Sequence, residues 1–288
     1  MKKISNLIKI GTCSWKYPSW KGILYSEGVT NNYLLEYAKQ YNTVEIDQWF
    51  WSLFPRNRVV FPKPGIVREY VSSVPKNFQF SVKVPNSITL THHYSQKKNM
   101  PLIENPFFLS NKLFAEFYHL LEPMKEHLAT FIFQFGYLNK KMIPDQRNFQ
   151  EKFSKFIDQC PPGMNYCVEI RNPNYLNIEY FSFLQSSDLK HVFLQGYYMP
   201  PIFSLYKKYR DFIEKFTVIR LMGGDRKTIE EKSQGNWNQL IDPKEEELDR
   251  LVIMMRDLII KKVRLFVNVN NHYEGSAPLT IERIKSRL

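Results

Sequence analysis

The sequence has only three cysteines, Cys13, Cys160 and Cys167, and no C-x-x-C pair. An odd number without that spacing suggests neither a disulfide framework nor a zinc knuckle, and leaves three thiols expected to be buried. Long apolar runs are missing too. The richest stretch, Leu251 to Ile260, is interrupted by Arg256 and Asp257 and falls far short of the ~20 apolar residues a membrane span needs. Met1 to Ile10 carry Lys2, Lys3 and Lys9 without a continuous apolar segment or a small-residue cleavage site, so a cytoplasmic location and no membrane partner are expected. Neither G-x-G-x-x-G nor G-x-x-x-x-G-K-[ST] occurs where a nucleotide fold would place it. Acidic residues are in deficit, 28 against 40 Lys and Arg, leaving +12. Such a field favours anionic partners, but the basic residues are scattered and form no run of five or more, which argues against a nucleic-acid-binding tail.

What is present is a globular composition. Of 288 residues, 43% are hydrophobic and 15% aromatic, enough for a sizeable core. Short β-branched or aromatic runs alternate with segments of helical period. Strands are expected at Ile8 to Cys13, Thr43 to Asp47, Phe78 to Val84, Ala129 to Phe135, Tyr166 to Arg171, His191 to Leu194, Val218 to Leu221 and Val263 to Asn270. Helices are expected at Asn32 to Gln40, Ile66 to Ser73, Asn111 to His127, Phe149 to Gln159, Ile178 to Gln185, Leu205 to Ile213, Glu245 to Lys261 and Leu279 to Arg287, with Pro123 breaking the third. Strand then helix, eight times, is the pattern of an α/β fold closed as a single TIM-like (β/α)8 barrel over residues 1–288. Long connections after strands 2 and 3, Phe54 to Gly65 and Asn86 to Pro106, are expected to carry binding elements.

Successive residues of a barrel strand alternate between the interior and the helix layer. In Val44-Glu45-Ile46-Asp47 both carboxylates then face inward, as do Glu169 and Arg171 in Val168-Glu169-Ile170-Arg171. The same reading turns Lys83, Gln134, Arg220, Asn268 and Asn270 inward. Six strands thus deliver polar groups near their C-terminal ends, where barrels keep their catalytic residues. Buried charges must pair or serve a ligand, so the alternative is a salt-bridged plug, with Glu169 against Arg171 or Glu45 against Lys83.

Several motifs run in order along nearly the whole chain: Gly11-Thr12-Cys13-Ser14-Trp15 with Tyr17 and Trp20, Thr43-Val44-Glu45-Ile46-Asp47, Phe80-Ser81-Val82-Lys83, Phe133-Gln134-Phe135, Val168-Glu169-Ile170-Arg171, Arg220-Leu221 and Asn270-Asn271-His272-Tyr273-Glu274-Gly275. Together they resemble the domain-of-unknown-function 72 family, the YecE-like proteins. The resemblance implies a TIM-barrel-like fold and brings no established reaction with it. The chain departs from the family at several places. It has Cys13 and Ser14 where the family has Ser-Gly, Asp47 where it has Asn, Asn172 where it often has His, Met222 in place of the His of Arg-Leu-His-Gly, and Leu90 in place of the His of Ile-Thr-His. Three imidazoles are absent or displaced, which speaks against a histidine-bound metal. Glu45, Asp47 and Glu169 offer oxygen ligands for Mg²⁺ or Mn²⁺, but Lys83, Arg171 and Arg220 would already neutralise them, so neither metal nor cofactor is expected.

The favoured function is an enzyme in which Glu45, Glu169 and Lys83 are the catalytic candidates. Asp47, Gln134, Arg171, Arg220, Asn268, Asn270, Asn271 and His272 would then bind a small anionic or sugar-like substrate. Trp15, with Trp20, Trp49 and Trp51, falls in the loops after the first two strands, where aromatic faces can stack on a flat ligand or simply pack. The alternative is a non-catalytic nucleic-acid or polyanion-binding protein using the basic exterior.

Overall fold

A computed structural model describes residues 6–28, 31–94 and 101–288. Its framework is eight parallel strands: β1 Ile8–Thr12, β2 Thr43–Ile46, β3 Gln79–Lys83, β4 Leu128–Phe135, β5 Tyr166–Ile170, β6 Lys190–Gly196, β7 Phe216–Gly223 and β8 Arg264–Val269. Their order is β1-β8-β7-β6-β5-β4-β3-β2, a nearly closed TIM-like (β/α)8 barrel. Between the two end strands the closure rests on a single parallel bridge, Cys13 to Glu45, with the Ser14 N–H donating to the Glu45 carbonyl at 3.0 Å. Gly11 permits it, because a Cβ there would lie 2.1 Å from the Thr43 carbonyl oxygen.

The crossovers are the helices that parallel pairing requires. They are α1 Tyr33–Tyr37, α2 Pro64–Ser72, α3 Asn86–Thr89, α4 Asn111–Leu120, α5 Gln146–Ile157, α6 Ile178–Ser186, α7 Ile202–Tyr209, α8 Arg226–Ser233, α9 Glu245–Ile260 and α10 Ala277–Arg287. Starts are marked by side chains that accept an orphan backbone N–H: Ser110 for α4, Asp145 for α5, Asn177 for α6 and Asp225 for α8. Pro123 acts as expected. The α4 segment stops at Leu120, and Glu122–His127 continues as a 3-10 turn. The layer between strands and helices is largely aromatic, with Phe114, Phe133 and Phe156 in mutual contact at ring separations of 5.5 and 5.6 Å.

Long connections follow β2 and β3 at the mouth, the C-terminal end of the strands. The loop after β2 carries a two-rung antiparallel ladder, Leu53–Phe54 with Arg58–Val59. The buried side chain of Asn86, at the start of α3 directly after β3, ties the two together by accepting from the N–H groups of Ser52 and Leu53 at 2.9 and 2.8 Å. No helix of the described residues is long and apolar enough to cross a membrane.

Candidate functional site

Inside the barrel the alternation of each strand stacks side chains in tiers. An apolar tier contains Ala129, Ile132, Cys167, Val192, Val218 and Phe266. One step toward the mouth, on the next inward position of the same strands, lie Gln134, Glu169, Arg220 and Asn268. The apolar floor beneath strips water from this polar tier, so its charges must satisfy one another.

They do so around Arg220, which is fully buried. Its Nε donates to Glu45 Oε2 at 2.8 Å and its Nη2 to Glu45 Oε1 at 2.7 Å, a bidentate pair, while Nη1 donates to Glu169 Oε2 and, at 3.3 Å, to Gln134 Oε1. Glu45 Oε2 also accepts from Asn268 Nδ2 at 2.9 Å. Glu169 Oε1 accepts from Arg171 Nε at 2.8 Å, and Arg171 Nη2 donates to Gln134 Oε1 at 3.0 Å. Both carboxylates are thus bonded through both oxygens. Burial alone would raise the Glu169 pKa; Arg220, then Arg171 and Lys83, override it and hold the group at about 2. Burial likewise opposes the charge on Arg220, and Glu169 and Glu45 more than restore it, leaving its pKa well above the ordinary value.

The tier above is partly open. Lys83 Nζ pairs with Asp47 Oδ1 at 2.6 Å and lies 3.9 Å from the centre of the Phe50 ring. Burial works against the Asp47 charge, but Lys83 and then Arg220 lower its pKa below the usual carboxylate range. The Arg171 guanidinium stacks 4.5 Å over Tyr197, and its Nη1 has no partner among the described residues. The Asp47 and Arg171 side chains are 36% and 24% exposed, against 0% for Glu45 and Glu169. Three carboxylates thus meet three cations, and the two with access to solvent have opposite charge.

Around this centre the rim is aromatic and strained. Trp51 is 56% exposed and its ring lies 5.7 Å from Tyr94, whose phenol pKa is raised by burial against the opposing charge of Arg171. Ser14, Tyr197 and Tyr198 have φ of 76°, 52° and 61°, a left-handed region that costs a side-chain-bearing residue ~1–2 kcal/mol each; clusters of this kind favour functional sites. Beside Tyr197 a small apolar shelf joins Cys13, Leu194 and Met222, with Cys13 Sγ 3.9 Å from Met222 Sδ. Burial, reinforced by Glu45, pushes the Cys13 thiol pKa well up.

The expected residues therefore divide. Glu45, Asp47, Lys83, Gln134, Glu169, Arg171, Arg220 and Asn268 meet in one cluster, although Lys83 pairs with Asp47 rather than Glu45. Asn270 and His272 form a flanking chain: Asn270 Oδ1 contacts His272, His272 Nε2 lies 3.0 Å from Glu230, and Glu230 accepts from Arg226. Burial lowers the His272 pKa. Trp15 and Asn271 are placed elsewhere. Trp15 is 5% exposed and packs edge-on against Tyr70 at 4.9 Å; only Trp51 of the four early tryptophans is open. Asn271 uses its Oδ1 to accept the Ala277 N–H at the start of α10. Glu274, from the same motif, is fully buried and clasps the Lys244 N–H and Arg283. The rim residues Tyr94 and Tyr197 and the Glu230 partner of His272 were not anticipated. Of these only Tyr197 has a local signal, a Tyr-Tyr pair directly after Gly196 at a strand end. The gap a divalent ion would need between Glu45 and Glu169 is filled by the Arg220 guanidinium, and no group of three or more His, Cys, Asp or Glu among the described residues converges on a common point.

A family model described as a protein of unknown function, DUF72, matches residues 9–288. The chain belongs to the DUF72 family. A DUF72 protein of Thermotoga maritima superposes with a TM-score of 0.68 at 20% identity, covering 97% of this chain and 98% of that one. One of Enterococcus faecalis superposes with 0.67 at 16%, covering 97% and 95%. These share the fold. The curated UPF0759 protein YecE of Escherichia coli K12 is 24% identical over 170 residues, 59% of this chain, and the match spans 50% of YecE's own length. DUF72 membership accounts for the motif order and the barrel, and assigns no reaction to the cluster.

Proposed function

We propose that the mouth of the barrel is the active site of an enzyme acting on a small anionic or sugar-like molecule. The observation that carries this reading is the asymmetry of the cluster: Glu45 and Glu169 are buried and bonded through both oxygens, whereas the side chains of Asp47 and of Arg171, whose Nη1 has no partner among the described residues, are partly exposed beside aromatic residues. Arg171 then binds the anionic group, and Trp51, Tyr94 and Tyr197 cover the body of the molecule. Asp47, ionised at neutral pH and 2.6 Å from Lys83, is the partly exposed carboxylate that accepts a proton from substrate, with Lys83 beside it to balance charge. Glu45 and Glu169, expected as acid and base, become positioning residues: a carboxylate held at about pKa 2 by two guanidinium groups is a poor proton donor at neutral pH.

Thermal-shift screening against phosphates, small carboxylates and phosphorylated sugars tests the reading. At least one should stabilise the protein, with affinity reduced about tenfold or more in Arg171→Ala, the loss of one charge-assisted contact. Asp47→Asn should retain that ligand yet lower turnover by about 10²–10⁴. A panel with no stabilising member, or one in which no member's gain is reduced in R171A, defeats the proposal.

A further inference from the structure

At the opposite, N-terminal end of the strands lies a second cavity of about 570 Å³, lined by β1, the segment after α1, the turn before β3 and α10. Its chemistry is one-sided. Three lysines from three different elements, Lys9, Lys39 and Lys285, line it together with the carboxamides of Asn6, Gln40, Asn42 and Asn77, and among the described residues no Asp or Glu is in the lining. Lys39 and Lys285 each have an acidic partner on their own element, Glu36 and Glu282. Lys9 has none among the described residues. Partly buried on β1, its ammonium donates to the carbonyl oxygens of Asn77 at 2.9 Å and Asn42 at 3.4 Å. On the neighbouring strand Arg264 is also partly buried, bonded to the neutral Gln79 and facing the Phe266 ring at 5.3 Å, again without a carboxylate. Each cation is desolvated, and Arg264 further lowers the Lys9 pKa. Two cations partly stripped of water on adjacent strands, with no counter-charge, repel each other, and an anion beside Lys9 relieves both costs.

We propose that this cavity binds a phosphomonoester of about nucleotide size, with Lys9 at the phosphate and Tyr41 beside the organic part. A phosphate carries up to two negative charges near neutral pH and so matches converging lysines better than a monocarboxylate. The volume lies within the ~300–1,000 Å³ of ligand pockets, more than inorganic phosphate fills. Tyr41 lines the cavity although mostly buried, its ring held between Tyr37 at 5.0 Å and Lys285 at 4.9 Å, and Ile8, Ile10, Ala38 and Pro75 supply apolar contact. The site is independent of the mouth.

Calorimetric titration of the full chain with adenosine monophosphate, a hexose monophosphate, inorganic phosphate and adenosine tests it. One of the two phosphomonoesters should bind with Kd below about 1 mM, inorganic phosphate more weakly, and adenosine not measurably. Lys9→Met should weaken the phosphomonoester about tenfold or more, the loss of one charge-assisted contact, and Arg171→Ala should leave it unchanged. Should K9M not fold, the exposed-rim double variant Lys39→Ala/Lys285→Ala carries the same expectation. The proposal is overturned if no phosphomonoester binds, if adenosine binds as well as its phosphate, if neither K9M nor the double variant weakens binding, or if R171A is what removes it.

Discussion

A guanidinium at the centre of a barrel has to recover from its neighbours what it loses in hydration. Arg220 recovers it from Glu45 and Glu169, which leaves each of the three dependent on the others. Arg220→Met is therefore expected to cost about 3–5 kcal/mol, the range for breaking a buried pair and stranding its partners, read as a lower midpoint in urea. The pair also sets an acid limit. Because the folded-state pKa of Glu169 is about 2 against an ordinary 4.5, its contribution is fully present above pH 4.5 and is lost as pH falls toward 2. In wild type the urea midpoint should drop through that window, and in Glu169→Gln, which starts lower, it should drop less steeply. An identical slope in the two proteins would show that Glu169 is not the group being protonated.

Elements were legible in the sequence where their periodicity was strong. The strands that carry Glu45, Lys83, Gln134, Glu169 and Arg220 alternate with apolar neighbours, so strand order, and which of these residues face inward, could be read. The pairing could not, because Arg220 and Glu45 are 175 residues apart and a strand's own alternation says nothing of the register around a closed barrel. The α8 helix escaped because Arg226–Ser233 offers only Ile229 as an apolar position; Asp225 as its cap was the remaining clue. Asn271 marks another limit: a polar side chain just past a strand end can serve a ligand or the next helix, and its Oδ1 here accepts the Ala277 N–H of α10. Asn271→Ala should accordingly cost about 1 kcal/mol, the loss of one hydrogen bond, lowering the melting temperature without altering binding at the mouth. A change in ligand affinity larger than the stability change would return Asn271 to the site.

At the scale of the molecule, the +12 charge has to be weighed against a specific nucleic-acid role. Short DNA or RNA is expected to be retained weakly in a gel-shift assay, with retention falling steeply between about 50 and 200 mM salt as counterions compete. Glu169→Gln and Arg171→Ala should leave it unchanged. Tight retention at physiological salt, lost on Trp51→Ala, would instead favour the polyanion reading. The balance of three carboxylates and three cations at the mouth has a kinetic counterpart. A charge-neutral cluster casts little field beyond the barrel, so the long-range attraction felt by an approaching anion comes from the basic exterior, whereas its residence depends on short contacts to Arg171 under the aromatic rim. Mobile ions screen the first over a Debye length of about 10 Å at 0.1 M and barely reach the second. Added salt should thus slow the association rate constant and leave dissociation nearly unchanged, whereas Arg171→Ala should do the reverse.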